Sequence, residues 1–130
     1  MNILIVDDHP VIAEGVMKML DDFFGTARMV HAIDGKSAIK IRSSSFELAV
    51  IDVYLPDTDT HALMHQLFQV SPELKVLVYS SSNPEIYAPI YKSAGAKGYL
   101  HKSSTNLEFS AALKKIMSGA EFFPAIYHGT

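Results

Sequence analysis

The stretch Ile3-Leu4-Ile5-Val6-Asp7-Asp8 decides the fold, because four consecutive apolar residues are followed at once by two acids. A short run that is apolar at every position predicts a strand buried on both faces, as in parallel α/β sheets. A second run, Leu48-Ala49-Val50-Ile51-Asp52, repeats this pattern and also ends on an acid. We therefore expect Asp7, Asp8 and Asp52 at the carboxyl ends of two central strands, where open parallel sheets bind ligands.

Length and composition predict one compact domain that covers residues 1–130, with 48% hydrophobic residues to build its core. The net charge of -3 argues against DNA binding by this chain itself, because phosphate affinity needs a basic face and the 11 Lys and Arg residues form no run. Cysteine is absent, and the apolar start is too short for a signal-peptide core or a membrane span. These features predict a cytoplasmic protein without a membrane partner.

Apolar spacing and turn residues divide the chain into alternating strands and helices. Strands are predicted at Ile3–Val6, Arg28–Ile33, Phe46–Asp52, Lys75–Tyr79 and Lys97–Leu100. Helices are predicted from Pro10 to the stop at Gly25, over Gly35–Arg42, around Leu63, Leu67 and Val70, over Pro84–Ala94, and after the capping box of Thr105 and Glu108. Five successive βα units predict a doubly wound α/β fold, a five-stranded parallel sheet with helices on both faces.

Polar groups follow four of the five predicted strands. Besides the three acids, Ser80 follows the fourth strand and Lys102 follows the fifth. Clustered carboxylates repel one another, so the site favours a compensating cation, and Mg²⁺ prefers such oxygen ligands. A carboxylate beside Mg²⁺ can attack a phosphoryl donor, while an ammonium and a hydroxyl surround the transferred oxygens. The strand ends therefore predict a magnesium-dependent phosphoryl-transfer site.

Four ordered segments carry a resemblance to a known family. They are Ile-Val-Asp-Asp-His-Pro at 5–10, Ala-Val-Ile-Asp-Val-Tyr-Leu-Pro at 49–56, Val-Leu-Val-Tyr-Ser at 76–80 and Gly-Ala-Lys-Gly-Tyr-Leu-His-Lys at 95–102. A lone Asp-Asp pair is a weak signal, but the ordered set is specific. The chain resembles the CheY-like receiver domains of two-component response regulators, most of all the NarL/FixJ (LuxR-type) group. The resemblance implies a flavodoxin-like sheet with the strand order 2-1-3-4-5 that CheY has.

The resemblance also implies a phosphorylation chemistry for the acids. Asp52 would be the phosphoacceptor, and a sensor histidine kinase would be the donor. Asp7, Asp8 and Asp52, with the backbone carbonyl of Tyr54, would hold Mg²⁺ directly or through water. The protein would then be a signalling module and not an enzyme.

Three further residues receive roles from the same resemblance. Lys102 would pair with the phosphoryl group, and Ser80 would be the switch hydroxyl that moves toward it. Tyr99 would turn inward behind Ser80 and change the surface of the fourth helix and fifth strand. A local change of charge would thereby bias a two-state element that a partner recognises.

Family members of the NarL/FixJ group continue into a helix-turn-helix DNA-binding domain. We expect transcription regulation through such a C-terminal domain, which the chain ending at Thr130 is expected to lack, with a stand-alone receiver as the alternative. Contact with DNA would require that domain. The family uses several helix faces for dimerisation, so a homodimer is left open.

Three positions depart from the family pattern. Thr60 stands where a loop glycine is common, and we expect Thr60 or Asp59 to cap the third helix. Ser103 replaces the proline that often follows the lysine, which leaves open whether the preceding peptide bond is cis. Pro89 falls inside the predicted fourth helix, at a cost of about 3 kcal/mol. A short, kinked or late-starting helix is therefore expected, with an apolar surface formed by Ile86, Tyr87, Ile90 and Tyr91.

Two other functional classes fit part of the pattern. A phosphohydrolase of the haloacid dehalogenase type also uses an aspartyl nucleophile and Mg²⁺, but it usually has an acid where this chain has Tyr54. A degenerate receiver that only binds proteins would not need the complete set of acids, hydroxyl and lysine.

Some short motifs are expected to carry no chemistry. His61 and His65 have the spacing of metal ligands on a helix but lack a third ligand, so a solvated face is expected. Gly35-Lys36-Ser37 resembles the end of a P-loop, yet Val30 stands where its first glycine belongs. His9 is expected to be a plain loop residue.

Overall fold

A computed structural model describes residues 1–41 and 45–123 and contains five strands that alternate with five helices. The strands are β1 (Asn2–Val6), β2 (Arg28–Ala32), β3 (Leu48–Ile51), β4 (Lys75–Ser80) and β5 (Gly98–His101). The helices are α1 (Pro10–Phe24), α2 (Gly35–Lys40), α3 (Thr60–Val70), α4 (Pro84–Ser93) and α5 (Asn106–Met117). All strands pair in parallel in the order β2-β1-β3-β4-β5, which confirms the predicted fold and strand order.

The core lies on both sides of the sheet, because the apolar runs of β1 and β3 send alternate side chains to opposite faces. Ile3 and Ile5 of β1 pack with α1 and α5, whereas Leu4 and Val6 pack with α2, α3 and α4. All four residues of β3 are buried. The continuous apolar runs therefore mark the two strands that helices cover on both faces.

Several element boundaries differ from the predicted ones. β2 ends one residue early at Ala32, and β3 is confined to Leu48–Ile51. α3 begins at Thr60, before its apolar stripe, because the side chain of Asp59 accepts a hydrogen bond from the backbone N–H of Ala62. The predicted end of α2 at Arg42 lies outside the described residues.

Helix α4 is continuous from Pro84 to Ser93, so the predictions of a short or late-starting helix are wrong. Pro89 lacks the N–H that would bond to the carbonyl of Glu85, but Glu85 is exposed in the first turn, where water can bond to that carbonyl. Asn83 caps the helix by accepting a hydrogen bond of 3.0 Å from the N–H of Glu85. The missing bond therefore falls at a solvated helix start, and a kink stays a prediction.

The apolar surface predicted on α4 is present in part. Ile86 is 57% exposed and Ile90 46%, as expected. Tyr91 is buried against the sheet instead, and Tyr87 is half-buried. The exposed apolar surface of α4 is therefore formed mainly by the two isoleucines.

After α5 the chain turns back toward the sheet. Gly119 has φ +95°, and the N–H groups of Gly119 and Ala120 donate to the carbonyls of Ile116 and Lys115, which is a Schellman ending. Phe122 then forms a parallel bridge with Gly98 at the outer edge of β5. This pairing follows the last predicted element and was not expected.

Candidate functional site

Strand register brings Asp7 and Asp52 side by side. Val6 is the partner of Ile51 in the pairing of β1 with β3, so the acids that follow them leave the sheet together. The N–H of Asp52 donates to the carbonyl of Val6 at 3.0 Å, which extends the ladder by one bond. Both residues are nearly inaccessible, at 3% and 4% exposed. The two carboxylates meet at the carboxyl edge of the sheet, as predicted, and both are buried there.

Lys102 lies between these two carboxylates. Its Nζ is 2.9 Å from Oδ2 of Asp7 and 2.9 Å from Oδ2 of Asp52. Burial lowers the pKa of Lys102, but its hydrogen bonds to Asp7 and Asp52 outweigh burial and leave that pKa raised. Lys102 therefore stays charged at neutral pH and offsets part of the negative charge of the site.

Asp8 and His9 complete a cluster of possible metal ligands. One donor atom each from Asp7, Asp8, His9 and Asp52 lies within 4.8 Å of the others. Oδ1 of Asp8 is buried without a hydrogen bond, although Nδ1 of His9 is 3.1 Å away. A buried carboxylate oxygen without a hydrogen bond is unfavourable unless a cation binds it, and a set of carboxylate oxygens fits Mg²⁺.

His9 lies in the loop between β1 and α1, as expected, and its side chain also contacts the acids. Its Nδ1 lies 3.1 Å from Oδ1 of Asp7, and its backbone N–H donates to the same oxygen at 2.8 Å. These contacts hold Oδ1 of Asp7, whereas Lys102 holds Oδ2. The adjacency of His9 to two acids was the available signal. His9 stands at the residue before α1, but its side chain makes no capping hydrogen bond to that helix and contacts the acids instead.

The two oxygens of Asp52 have different surroundings. Oδ2 accepts the hydrogen bond from Lys102, whereas Oδ1 accepts a long bond of 3.4 Å from the N–H of Tyr54. The hydroxyl of Thr60 fixes the main chain here by donating to the carbonyls of Asp52 and Val53 at 3.2 and 2.7 Å. Thr60 thus ties α3 to the end of β3, while Asp59 is the residue that caps the helix.

Ser80, the last residue of β4, and Tyr99 of β5 are both fully buried. The Ser80 hydroxyl donates to Oγ of Ser82 at 3.0 Å and accepts from the N–H of Ser82 at 3.2 Å. The Tyr99 hydroxyl donates to the carbonyl of Ser82 at 3.0 Å, and burial raises the pKa of Tyr99 to about 12. Tyr99 therefore lies inward, and Ser82, which was not among the predicted site residues, connects it with Ser80.

Ser103 follows a trans peptide bond, as does every residue in the described ranges. Its N–H donates to Nδ1 of His101 at 3.0 Å, and Nε2 of His101 lies 3.1 Å from the carbonyl of Ser81. The nitrogen next to a carbonyl must carry the proton, so His101 is held as one tautomer. His101 thereby connects the loop before α4 with the loop that follows Lys102.

The motifs that were expected to be inert lie apart from the acids. His61 and His65 are exposed on α3, and His65 is 3.4 Å from the amide of Gln69. Ser37 donates its N–H to Asp34 at 2.8 Å, a bond that caps α2 and lowers the pKa of Asp34. The Gly35-Lys36-Ser37 sequence is therefore an ordinary helix start.

A doubly wound sheet with three acids, a lysine and a serine at its carboxyl edge has the architecture expected of a receiver domain. Residues 3–114 match the family described as the response regulator receiver domain. The chain belongs to this family, whose members use Mg²⁺ at the acidic pocket. It is accordingly a signalling domain and not an enzyme of the phosphohydrolase type.

Similar proteins support the same assignment. The chain is 33% identical over 123 residues to a putative transcriptional regulator of Pseudomonas aeruginosa and 27% identical over 125 residues to the Fimbriae Z protein of Salmonella typhimurium. The alignment with the Pseudomonas protein includes 94% of this chain and 59% of that protein. The alignment with the Salmonella protein includes 95% of this chain and 60% of that protein. The chain therefore spans about 60% of the length of these relatives.

A solved structure supports the LuxR-type subgroup. A two-component response regulator of the LuxR family from Aurantimonas sp. superposes with a TM-score of 0.86 at 26% identity, over 98% of this chain and 91% of the other. The resemblance to LuxR-type receivers is confirmed. Within the described residues, no helix has both the length and the hydropathy needed to cross a bilayer.

Proposed function

We propose that Asp52 accepts a phosphoryl group from a sensor histidine kinase in a reaction that requires Mg²⁺. The observation that carries this proposal is the unequal environment of the buried Asp52 carboxylate. Oδ2 is held by Lys102 at 2.9 Å, whereas Oδ1 has only the long contact of 3.4 Å with the N–H of Tyr54 among the hydrogen bonds of the described residues. Oδ1 is therefore the better nucleophile.

The transfer needs no general base, because the attacking carboxylate carries no proton. An oxygen of Asp52 forms a bond to phosphorus as the bond from phosphorus to the donor nitrogen breaks, and the electron pair leaves with that nitrogen. Lys102 stands beside Asp52 and is positively charged, so its ammonium stabilises the negative charge on the transferred oxygens.

Asp7, Asp8 and Asp52, with the backbone carbonyl of Tyr54, would hold the magnesium ion. Support comes from the clustering of the carboxylate oxygens and from the buried Oδ1 of Asp8, which has no hydrogen bond. When bound, Mg²⁺ supplies the positive charge that offsets both the acids and the phosphoryl oxygens.

The switch would begin at Ser80. Its hydroxyl would leave Ser82 and donate to the phosphoryl group on Asp52, while Tyr99 stays inward behind it. Both serines are buried, so water cannot replace the hydrogen bonds that Ser82 loses when Ser80 moves. The altered surface would belong to α4 and β5, where a partner would read the phosphorylation state.

The output of the whole protein would be transcription regulation in the cytoplasm. The similarity to a putative transcriptional regulator supports this, as does the fact that such relatives extend well beyond the matched region. Residues 1–130 would then act as the receiver domain, and DNA would be bound by a further domain, with a homodimer as a compatible assembly.

Phosphorylation by acetyl phosphate with Mg²⁺ tests the proposal directly. Intact-mass spectrometry should detect one added phosphoryl group on the wild type and none on Asp52→Asn or after chelation of the metal. Asp57→Asn is the matched control, because Asp57 is an exposed acid in the same loop with φ +48°, a conformation that asparagine tolerates. Absence of the adduct on the wild type, or equal labelling of Asp52→Asn, would refute the proposal.

A further inference from the structure

Residues 121–123, which we call the C-terminal strap, lie along the outer edge of β5, where Phe122 forms a single bridge with Gly98. The N–H of Tyr99 donates to the carbonyl of Phe122 at 3.0 Å, and the N–H of Phe122 donates to the carbonyl of Lys97 at 2.9 Å. Gly98 permits this approach, because a Cβ there would lie 2.9 Å from the carbonyl oxygen of Phe122. The strap is therefore paired with the strand that carries Tyr99.

Side chains of the strap join it to α4 as well. Phe123 packs against the part of the core that contains α4 and Tyr99, whereas Phe122 packs against the opposite part. Lys92 of α4 lies 3.7 Å from Glu121, and its Nζ is 5.3 Å from the centre of the Phe123 ring. These contacts fasten α4 to the edge of β5 through the strap.

A continuous set of hydrogen bonds runs from the strap to Ser80. The backbone of Tyr99 bonds to Phe122, and its side chain bonds to the carbonyl of Ser82. The N–H and the hydroxyl of Ser82 both bond to Ser80. The residue proposed as the switch hydroxyl and the segment after α5 are thus parts of one network.

We propose that the C-terminal strap is an autoinhibitory contact, which holds α4 and β5 in the arrangement where Ser80 binds Ser82 and is loosened when Asp52 is phosphorylated. This inference rests on the proposed function, in which Ser80 moves to the phosphoryl group. Once Ser80 leaves, the buried N–H and hydroxyl of Ser82 lose their partner, so the loop before α4 must rearrange. The carbonyl that Tyr99 binds belongs to that loop, and the rearrangement reaches the strap through Tyr99.

Coupling of this kind is reciprocal. If a phosphoryl group on Asp52 loosens the strap, then weakening the strap must favour phosphorylation by the same factor at equilibrium. Removal of the Phe123 ring is the mildest way to weaken it, since both backbone hydrogen bonds of Phe122 can still form. The reciprocal effect gives two independent measurements of one coupling.

Amide hydrogen exchange measured by NMR tests the inference on the whole chain. Beryllofluoride with Mg²⁺, an analogue of the phosphoryl group, should speed exchange at Tyr99 and Phe122 by about fivefold or more and leave the β1 amides unchanged. Phe123→Ala should speed the same two amides without the analogue, shift the Ser82 amide signal, and tighten beryllofluoride binding by a similar factor. Phe24→Ala, which removes another half-buried ring from α1, is the control and should do none of these.

The outcomes separate this inference from the proposed function. Binding of beryllofluoride beside Lys102 without faster exchange at Tyr99 and Phe122 would overturn the autoinhibitory strap and leave the phosphorylation proposal intact. If neither beryllofluoride nor acetyl phosphate modifies Asp52, the proposed function fails, and the loosening of the strap by phosphorylation fails with it. In Phe123→Ala, an unchanged Ser82 signal would overturn the inference in either case.

Discussion

The acidic site and the switch face are built in different ways, although they lie at the same edge of the sheet. Asp7, Asp52 and Lys102 follow strands directly, so the register of the sheet brings them together. The switch face, which comprises Ser80, Ser82, Tyr99 and helix α4, depends on which side-chain hydrogen bonds form among buried groups. The positions of Ser80 and Tyr99 are set by β4 and β5 and were predictable in the same way as those of the acids, whereas the hydrogen bonds that join these two residues through Ser82 were not.

The largest effect is expected from Lys102→Met, which removes the cation from the acidic site. Two buried carboxylates would then lack their shared partner, so the free energy of unfolding should fall by about 3 to 5 kcal/mol. Mg²⁺ should restore part of this loss, because it supplies positive charge at the same carboxylates. Urea unfolding with and without Mg²⁺ measures both effects.

Lys18→Met is the control for this variant, since Lys18 is exposed on α1. Its free energy of unfolding should change little and should not respond differently to Mg²⁺ from that of the wild type. Equal free energies of unfolding for Lys102→Met and Lys18→Met would show that strand pairing alone holds the two carboxylates together, without a contribution from the ion pairs of Lys102.

Much of the acidic site was predictable, because each main residue is the first polar group after an apolar run. Less was predictable where a side chain's direction mattered. His9 lies in a loop as expected, but the contacts of its ring with two acids were not foreseen. Of the two candidates for the cap of the third helix, Asp59 caps it, whereas the hydroxyl of Thr60 holds the end of β3. Neither direction follows from spacing, since both depend on how a helix start meets the sheet.

Replacement of Pro89 by alanine tests how much stability the proline inside α4 costs the protein. Alanine would restore the N–H that can bond to the carbonyl of Glu85, and an interior proline costs about 3 kcal/mol relative to alanine. Up to about 1 kcal/mol is offset because alanine leaves the unfolded chain more flexible. The free energy of unfolding of Pro89→Ala should therefore rise by about 2 kcal/mol in thermal or urea unfolding.

Pro84→Ala provides the matched comparison within the same helix. Pro84 occupies the first turn, where no N–H is needed for the helix ladder, so its replacement should be nearly neutral or slightly destabilising. An equal response of the two variants would mean that the position of Pro89 within α4 carries no special cost.

The wrong prediction for α4 has a tertiary cause. Local propensity favours interruption at Pro89, but Ala88 and Tyr91 on either side of it are buried against the sheet. Their burial and the cap by Asn83 keep the helix continuous through the proline. The strap after α5 was missed for a related reason, since residues 121–123 have no strand pattern and pair only because Gly98 lets them approach.

The smallest effect concerns a direct contact between the acidic site and the switch face. Tyr54, two residues after Asp52, places its hydroxyl 2.9 Å from that of Tyr87 on α4, and the rings meet edge to face. The hydrogen bond with Tyr54 raises the pKa of Tyr87. Tyr54→Phe should therefore lower the pKa of Tyr87 toward its ordinary value, as NMR titration of the ring signals would measure.

Tyr91→Phe is the control for that titration, because it removes a neighbouring phenol without breaking the bond between Tyr54 and Tyr87. It should leave the pKa of Tyr87 unchanged. If Tyr54→Phe also leaves it unchanged, the two hydroxyls are not bonded in solution. The acidic site would then be connected to α4 by the hydrogen bonds of Ser80, Ser82 and Tyr99 and not by the contact of Tyr54 with Tyr87. The strap experiments would in that case test the whole connection.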